Sequence, residues 1–385
     1  MTAPRRVRVL FYVQHLLGIG HQVRAAAITR AIQRHGMDVL YVSGGFSETA
    51  HDLGGADIVQ LPPVRAADAT FGTLLDASGQ PIDDDWKQRR KEALLTIFDA
   101  AKPDALLIES FPFGRRQFRF ELLPLLESAV GRVPIAASVR DILVAKNDPK
   151  RTQSVVDTVN AYFDAVIVHG DPRIVRLDET FAGAEAIADR IQYSGFVAPS
   201  LADAPQEARS GVVVSAGGGA VGGPILRAAV PARALTRLSD APWRLVTGPN
   251  LPTLDRKALL AAQNVTIDTY IENFRDILCK VAVSVSQAGY NTVMDLLATR
   301  TRSVLVPFSR HGETEQTRRA ALLSQRNNFQ VVAESDLSAA TLAAAIDAAL
   351  DAPPPDTSGI DLDGATKTAK IMAELVSGRP FSGRL

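Results

Sequence analysis

The chain has 385 residues, 46% of them hydrophobic and 22% charged, a composition that predicts a soluble globular protein large enough for two hydrophobic cores. Its 42 basic residues balance 42 acidic ones, so no overall field would hold the molecule on nucleic acid or on an anionic membrane. A single cysteine, Cys279, excludes an internal disulfide framework and a cysteine zinc site. Without a signal peptide or a run of about 18 apolar residues, we expect a cytoplasmic protein.

Short β-rich apolar runs alternate with amphipathic helical stretches, a pattern typical of parallel sheets covered by helices on both faces. We therefore expect an α/β fold of two Rossmann-like domains, with the ligand in the cleft between them at the carboxyl ends of the strands. The predicted strands of the first half are 7–13, 38–43, 58–61, 105–109, 134–139 and 165–169. Helices are predicted at 22–35 and 84–100, the second opened by an acidic turn that complements the helix dipole.

A segment rich in proline and small residues, 195–210, is the predicted linker between the two halves. Strands of the second half are predicted at 211–216, 243–247, 265–270, 281–286, 303–308 and 329–333. A last helix is predicted at 366–376, where it can pack back across the linker. The predicted domains are 1–198, which binds the acceptor, 199–365, which binds the nucleotide sugar, and a C-terminal helix and tail at 366–385.

The first candidate loop, Gly18-Ile19-Gly20-His21, joins the opening strand to its helix, so backbone N–H groups and the positive helix end converge there. An imidazole with an ordinary pKa of about 6.5 can accept the proton of an attacking hydroxyl, which makes His21 the candidate catalytic base. The alternative is a glycine turn with a surface histidine. A dinucleotide fingerprint would need a third glycine where Val23 stands.

The second candidate loop follows the first strand of the second half and reads Gly217-Gly218-Gly219-Ala220-Val221-Gly222. It satisfies the G-x-G-x-x-G pattern of dinucleotide-binding proteins. However, the next strand ends Thr247-Gly248 without the carboxylate that would bind a ribose, which weakens a nicotinamide interpretation. Gly218 and Gly219 still allow a phosphate to approach the backbone, and the alternative is a tight turn that lets helix and sheet pack closely.

The third constellation combines a helix N-terminus with hydroxyl, amide and carboxylate side chains. In chain order it consists of Ser286, Gly289, Tyr290, Asn291, Thr292, Asp295, Glu315 and Gln316. The hydroxyls and the N–H groups after Gly289 can satisfy phosphate oxygens where the helix dipole favours negative charge. Asp295 can accept hydrogen bonds from ribose hydroxyls, and the last pair offers groups for sugar hydroxyls. The alternative for Glu315 and Gln316 is a pair of solvated residues at a helix start.

The motifs of this half resemble the C-terminal domain of the MurG-like glycosyltransferases of family 28. The resemblance rests on 270–274 (Tyr-Ile-Glu-Asn-Phe), 281–286, 288–293 (Ala-Gly-Tyr-Asn-Thr-Val), 306–308 (Val-Pro-Phe) and the pair at 315–316, together with the shortened glycine-histidine loop at 18–21. It implies a GT-B fold and a metal-independent transferase that uses a UDP-linked sugar as co-substrate and needs no other cofactor. The Gly-Tyr-Asn-Thr form resembles a little-described branch of predicted glycosyltransferases.

The resemblance also implies roles for single positions. The backbone of Ile271 would meet the uracil, Ser286, Gly289 and Thr292 would lie by the diphosphate, Asp295 by the ribose, Glu315 and Gln316 by the transferred sugar, and His21 would be the base. This sequence departs from the family at two of them: the ribose position is usually glutamate and is Asp295 here, and the sugar-binding pair usually contains two glutamines and has Glu315 here. The identity of the sugar, a hexose or an N-acetylhexosamine, stays open.

Two arginine-bearing segments follow strands of the first half, and we expect them on the acceptor side. Arg115, Arg116, Arg119 and Arg140 can hold an acidic or phosphorylated acceptor, since guanidinium groups match phosphate and carboxylate. The alternative, weighed equally, is an interdomain salt-bridge set with Glu109, Glu121 and Asp141. Asp141 is a second candidate base, or the group that orients His21.

Metal binding is not expected, because the six histidines show no zinc-binding spacing. The run Asp83-Asp84-Asp85 is interpreted as a helix cap and charge cluster. Two alternatives to an inverting glycosyltransferase remain, namely a nucleotide-sugar 2-epimerase or hydrolase and a non-catalytic nucleotide-sugar sensor. The acceptor, the oligomeric state and peripheral contact with a membrane stay open, while no nucleic acid partner is expected.

Overall fold

The computed structural model describes residues 5–16, 20–46, 52–67, 72–144, 148–202, 208–218, 221–260, 262–310 and 313–378. Internal contacts divide the chain into two units. The first unit comprises Met1–Val197 and Asp361–Leu385, and the second comprises Ala198–Ile360. None of the helices in the described ranges is both long and apolar enough to cross a membrane.

The first unit is built on a parallel sheet. Its strands and a small hairpin are β1 (Arg8–Val13), β2 (Asp38–Ser43), β3 (Asp57–Gln60), β4 (Arg65–Ala66), β5 (Leu74–Leu75), β6 (Ala105–Glu109), β7 (Ile135–Arg140), β8 (Ala165–His169) and β9 (Ile191–Tyr193). Seven of them pair in the order β3-β2-β1-β6-β7-β8-β9, while β4 and β5 form the antiparallel hairpin. The predicted strands are confirmed, but the hairpin and β9 were missed because two or three residues carry no readable alternation.

Helices cover both faces of this sheet, as connections between parallel strands require. They are α1 (Gly20–Arg34), α2 (Asp84–Ala101), α3 (Arg119–Ala129) and α4 (Pro149–Tyr162). The carboxylate of Asp83 accepts the Trp86 N–H at 2.7 Å, which confirms the helix cap at the start of α2. Side chains from alternate positions of β1 enter different cores: Leu10 packs into one and Val9 into the other, and both are fully buried.

The second unit repeats this plan. Its strands are β10 (Val212–Ser215), β11 (Trp243–Val246), β12 (Thr266–Asp268), β13 (Val283–Ser286), β14 (Ser303–Leu305) and β15 (Gln330–Val331), and its helices are α5 (Gly223–Ala232), α6 (Thr253–Leu260), α7 (Phe274–Lys280), α8 (Tyr290–Thr299), α9 (Glu315–Asn327) and α10 (Ala339–Asp351). The strands are parallel in the order β12-β11-β10-β13-β14-β15. All six predicted strands are present, shortened at their ends.

The last helix, α11 (Gly364–Ser377), belongs to the first unit. Its buried Ala369 and Met372 lie in the same core as Ile28 and Ile32 of α1. The chain returns to the first unit at Asp361, whose carbonyl accepts a hydrogen bond from the Phe196 N–H at 2.8 Å. The helix predicted from the sequence is therefore present.

Both sheets reverse their strand order at one point. In the first sheet the reversal lies between β1 and β6, and in the second between β10 and β13. Connections leave such neighbours toward opposite faces, so a crevice opens at the carboxyl ends of the two strands, where α/β proteins bind ligands.

Candidate functional site

The reversal point of the first sheet holds a histidine–carboxylate pair. Glu109 is the last residue of β6, and His21 is the second residue of α1, the helix that follows β1. The two strands are neighbours, and the His21 Nδ1 lies 2.7 Å from the Glu109 Oε1. Because an ionised carboxylate only accepts hydrogen bonds, Nδ1 carries the proton and Nε2 of a neutral ring keeps its lone pair. The group that orients His21 is therefore Glu109.

Electrostatics keep this pair as a neutral imidazole beside a carboxylate. Burial lowers the pKa of His21 to about 4, although the negative charge of Glu109 acts in the opposite direction. Burial by itself would raise the pKa of Glu109, but His21, Arg24 and Arg115 outweigh that effect and hold the pKa well below its usual range. At neutral pH the imidazole is unprotonated, as a general base must be.

Arg24, which sequence reasoning missed, completes the pair. It lies one turn after His21 on α1, and its buried guanidinium is ion-paired with Glu109. The carboxylate is thereby compensated in a position that is fully closed to solvent. The spacing of three residues, which places two side chains on one helix face, was the available signal.

The arginines expected on the acceptor side occupy different environments. Arg115 has a left-handed backbone (φ 57°), and its Nε donates to the Gln14 carbonyl at 2.7 Å, in the loop after β1. Arg116 is exposed and Arg140 is half-buried. Arg119 donates to Ser154 Oγ at 3.2 Å. Binding of an acceptor by these groups stays a prediction.

The proposed interdomain salt-bridge set is wrong for two of its three carboxylates. Glu109 pairs with Arg24 and His21, whereas Glu121 forms a fully buried ion pair with Arg90 at 2.7 Å. Both carboxylates thus have partners within the first unit, and the sequence separation of 31 residues between Glu121 and Arg90 hid their pairing. Asp141 is buried, and its role as a base stays a prediction.

In the second unit, the reversal point brings together the starts of two helices. Ser215 and Ser286 are paired neighbours at the carboxyl ends of β10 and β13. After β13 the chain turns at Gly289, which is the N-cap of α8 and provides no side-chain cap to the helix. A Cβ atom built on Gly289 would meet only Thr292 Oγ1, at 3.9 Å, so the space in front of the helix is open.

Ser286 adds an uncommitted hydroxyl to this position. Its side chain is 1% exposed, and its Oγ has no hydrogen-bond partner among the described residues. A buried hydroxyl without a partner costs free energy, which a ligand atom can recover by accepting its proton. The positive end of the α8 dipole, which no side chain caps, and this hydroxyl together favour an anion.

The glycines of the loop after β10 have two different structural roles. Gly217 adopts a positive φ of 58°, and no atom would lie within 4 Å of a Cβ on Gly218, so this backbone is open to a ligand. A Cβ on Gly222 would lie 2.1 Å from that of Ala216, so Gly222 lets α5 pack closely on the sheet. Gly219 lies outside the described residues. The phosphate interpretation and the packing interpretation therefore apply to different glycines.

Glu315 and Gln316 are not solvated residues at a helix start, as one interpretation held. Glu315 is 5% exposed and forms an ion pair with Arg319 at 2.7 Å. The Gln316 Oε1 accepts the N–H groups of Ala288 and Phe308, each at 3.1 Å, so only its amide nitrogen is left to reach a sugar hydroxyl.

Arg319 is the second residue that sequence reasoning missed. It donates to the Ala288 carbonyl at 3.0 Å, and its guanidinium lies 5.5 Å from the centre of the Tyr290 ring. Arg319 thus links the start of α9 to the turn before α8. The spacing of four residues between Glu315 and Arg319 was readable on a predicted helix.

Asp295 lies on the second turn of α8, where burial raises its pKa to about 6 and the charge of Arg275 lowers it. Asn291 and Thr292 are half-buried in the first turn of α8, and the half-buried Ile271 lies between β12 and α7. The candidate donor residues of this unit thus follow β10, β12, β13 and β14, at the carboxyl ends of these parallel strands. Among the residues described, no cluster of three or more histidine, cysteine or acidic side chains is arranged to hold a metal ion.

Comparison of sequences finds a known domain in the C-terminal part of the chain. Residues 213–370 match the glycosyltransferase family 28 C-terminal domain. A UDP-N-acetylglucosamine–N-acetylmuramyl-(pentapeptide) pyrophosphoryl-undecaprenol N-acetylglucosamine transferase of Lactiplantibacillus plantarum is 34% identical over 93 residues, 24% of this chain and 26% of the relative. The enzyme of the same name from Leuconostoc citreum is 30% identical over 140 residues, 34% and 38% of the two chains. The chain thus aligns with well under half the length of these relatives.

Solved structures extend the likeness to the whole fold. The calicheamicin glycosyltransferase CalG4 superposes with a TM-score of 0.58 and 17% identity, covering 97% of this chain and 95% of the other. Acinetobacter baumannii MurG gives a TM-score of 0.56 and 12% identity, covering 97% and 100%. At these identities the structures establish the fold alone, which is the GT-B fold with its two Rossmann-like domains. The chain therefore has the GT-B fold of glycosyltransferases, and its residues 213–370 match the C-terminal domain of glycosyltransferase family 28.

Proposed function

We propose that the protein is an inverting, metal-independent glycosyltransferase that uses a UDP-linked sugar. The observation that carries the proposal is the pair formed by the half-buried His21 and the buried Glu109, with Nδ1 and Oε1 2.7 Å apart, at the reversal point of the first sheet. A neutral, oriented imidazole can act as a general base. Residues 213–370 match a glycosyltransferase domain, which supports sugar transfer as the reaction.

In the proposed reaction, His21 Nε2 takes the proton from an acceptor hydroxyl or amine as that atom attacks the anomeric carbon. The bond from the anomeric carbon to the diphosphate oxygen breaks, and the diphosphate leaves with the bonding electrons. The resulting imidazolium is stabilised by Glu109, as the carboxylate of a catalytic triad stabilises its histidine. After the products leave, the His21 imidazolium loses its proton to solvent.

The second unit would hold the donor. The N-terminus of α8, the open backbone at Gly218 and the Ser286 hydroxyl would bind the diphosphate, and Asp295 would accept hydrogen bonds from the ribose. Preorganised N–H groups at a helix end stabilise charge that develops on a leaving group, and this stabilisation supports transfer without a metal ion. The names of the sequence relatives support UDP-N-acetylglucosamine as the first donor to test.

A thermal-shift screen of UDP, UDP-N-acetylglucosamine and UDP-glucose, with and without EDTA, tests donor binding. A ligand present at 100 times its Kd stabilises the native state by about 2.7 kcal/mol, so binding raises the Tm of the wild-type chain. A Tm that no nucleotide raises would refute the proposal.

Product analysis with the bound donor alone then separates the remaining enzyme classes. A transferase leaves the donor intact until an acceptor is added, whereas release of free sugar or a change of configuration at C2 would identify the hydrolase or 2-epimerase. Binding without turnover with every acceptor offered would identify a sensor.

A further inference from the structure

The turn in front of α8 is held by side chains of another helix. Ala288, the residue before the N-cap Gly289, is fully buried, and both of its backbone polar groups are bound by α9. Its N–H donates to the Gln316 Oε1 at 3.1 Å, and its carbonyl accepts a hydrogen bond from the Arg319 Nη1 at 3.0 Å. The position of this turn therefore depends on α9 as well as on β13, the strand that precedes it.

Arg319 contacts the chain on both sides of Gly289. Its Nη1 bonds the carbonyl of Ala288 before the N-cap, and its guanidinium lies 5.5 Å from the ring centre of Tyr290, the first residue of α8. A planar guanidinium can donate hydrogen bonds at its edge and contact an aromatic ring with its face, a geometry that an ammonium group lacks. Arg319 thus fixes the direction in which the chain enters the helix.

The side chain of Arg319 is itself held by burial and by charge. It is 2% exposed, and its Nη2 lies 2.7 Å from the Oε1 of Glu315, one turn earlier on the same helix. Removing two charges from water costs free energy, and an apolar pair of similar volume is often equally stable. Stability of the fold alone therefore does not explain an ion pair at this position, whereas the hydrogen bond from Arg319 to Ala288 does.

The position of this turn determines where the positive end of α8 lies. Gly289 has an extended backbone (φ −64°, ψ 148°), and no side chain caps the helix. The field of a helix end falls off within one turn, and hydrogen bonds weaken steeply with distance and angle. Ser286, whose buried Oγ has no partner among the described residues, lies three positions before Gly289. A displaced turn would therefore separate the helix end from the other group that favours an anion.

We propose that Arg319 is a positioning residue for the diphosphate: by holding the carbonyl of Ala288, it keeps the start of α8 where the phosphate oxygens bind. The inference rests on the proposed transferase function, because it concerns the leaving group of that reaction. Arg319 acts through the turn and not by contact with the ligand. Because Glu315 and Gln316 are the residues expected at the transferred sugar, α9 would join the sugar-binding and phosphate-binding parts of the site.

Titration of the full chain with UDP and with uridine separates positioning from a general loss of structure. Uridine lacks the diphosphate, so a displaced turn should weaken UDP binding and leave uridine binding unchanged. The double variant Glu315→Gln, Arg319→Met removes both buried charges, and UDP carries no sugar for Glu315 to contact. We expect this variant to bind UDP about tenfold more weakly, the scale of one misplaced hydrogen-bonding group, and to bind uridine within about twofold of the wild-type chain.

Arg319→Lys distinguishes geometry from charge. A lysine keeps the positive charge beside Glu315 but lacks the planar fork that also reaches the Ala288 carbonyl. We therefore expect Arg319→Lys to bind UDP as weakly as the double variant does. The matched control is Arg326→Met, which removes the same charge from the exposed last turn of α9 and should keep the wild-type affinity for UDP.

Amide hydrogen exchange of the segment 287–293, measured without nucleotide, reports on the turn itself. Exchange should be faster in Arg319→Lys and in the double variant than in the wild-type chain and Arg326→Met. Unchanged exchange, wild-type UDP affinity in Arg319→Lys, or an equal loss of UDP and uridine binding in the double variant would overturn the inference and leave the transferase in place. A wild-type chain that binds no UDP would refute the transferase and this role of Arg319 together.

Discussion

The reversal points of the two sheets differ in whether their polar groups already have partners. In the first unit, the buried Glu109 carboxylate is paired with the half-buried His21 and the buried Arg24, so these groups already have partners without a substrate. In the second unit, the start of α8 has no side-chain cap and Ser286 Oγ has no partner among the described residues. The helix end and this hydroxyl are therefore available to a ligand. The first arrangement suits proton transfer and the second suits anion binding.

Removing the imidazole should break the first arrangement most severely. In His21→Ala we expect transfer to fall about 10²–10⁴-fold, the usual contribution of a general base, with donor affinity unchanged. Steady-state kinetics and calorimetric titration of UDP measure the two quantities. Equal turnover in the variant and the wild-type chain would rule out His21 as the base.

Neutralising the carboxylate should affect both catalysis and folding. Glu109→Gln leaves Arg24 buried without a counter-charge, which we expect to lower the free energy of unfolding by about 3 kcal/mol. Urea denaturation at pH 7 measures this loss. The double variant Glu109→Gln, Arg24→Met removes both charges, and its stability should recover relative to Glu109→Gln; if it does not, the pair is not coupled as described.

Two glycine substitutions sharpen the contrast within the second unit. Gly289→Ala places a methyl group in open space, so the fold should be kept while UDP binds about tenfold more weakly because the methyl group crowds the phosphate. In Gly222→Ala the new methyl group would meet Ala216 at 2.1 Å, so the Tm should fall. Circular dichroism and UDP titration of both variants check the expectation. A Gly289→Ala chain with wild-type UDP affinity would move the phosphate elsewhere.

The protonation of His21 gives the next smaller effect. Its folded-state pKa of about 4 lies below the unfolded value of about 6.5, so the unfolded state binds more protons between these values. This histidine's contribution to stability is therefore present above pH 6.5 and declines as the pH falls toward 4. Urea denaturation across this range, compared with His21→Ala, isolates the contribution; identical pH slopes would contradict the lowered pKa.

The smallest expected effect concerns Asp295. Because its pKa is raised to about 6, a carboxylate that accepts ribose hydrogen bonds is protonated below that pH, and UDP affinity should fall severalfold between pH 7 and pH 5. Asp295→Asn should bind UDP weakly with a flatter pH dependence. Calorimetric titration of both chains at the two pH values distinguishes these outcomes.

The fold could be predicted from the sequence because each strand is a short apolar run closed by turn residues, whereas the pairings across the sheet could not. Glu109 was visible as the end of a strand, but its contact with His21 depends on β1 and β6 being neighbours. The two Gln316 hydrogen bonds likewise join loops that are distant in sequence.

The spacing of residues along a helix indicates which side chains share one face. Arg24 follows His21 by three residues and Arg319 follows Glu315 by four, and both intervals place side chains on one face of a helix. Arg319 is the counter-charge of Glu315 on the same helix, whereas Arg24 pairs with Glu109 of β6, which the spacing alone does not show. Partners within one helix are thus readable from sequence, while partners across a sheet need the strand order.

The central claim is that Glu109 holds His21 as a neutral ring with the proton on Nδ1. A ¹⁵N NMR titration of the imidazole measures the protonation of both ring nitrogens directly. We predict a protonated Nδ1 and an unprotonated Nε2 at pH 7, with both protonated only near pH 4. A ring that titrates near its ordinary pKa, or that carries its proton on Nε2, would contradict the account.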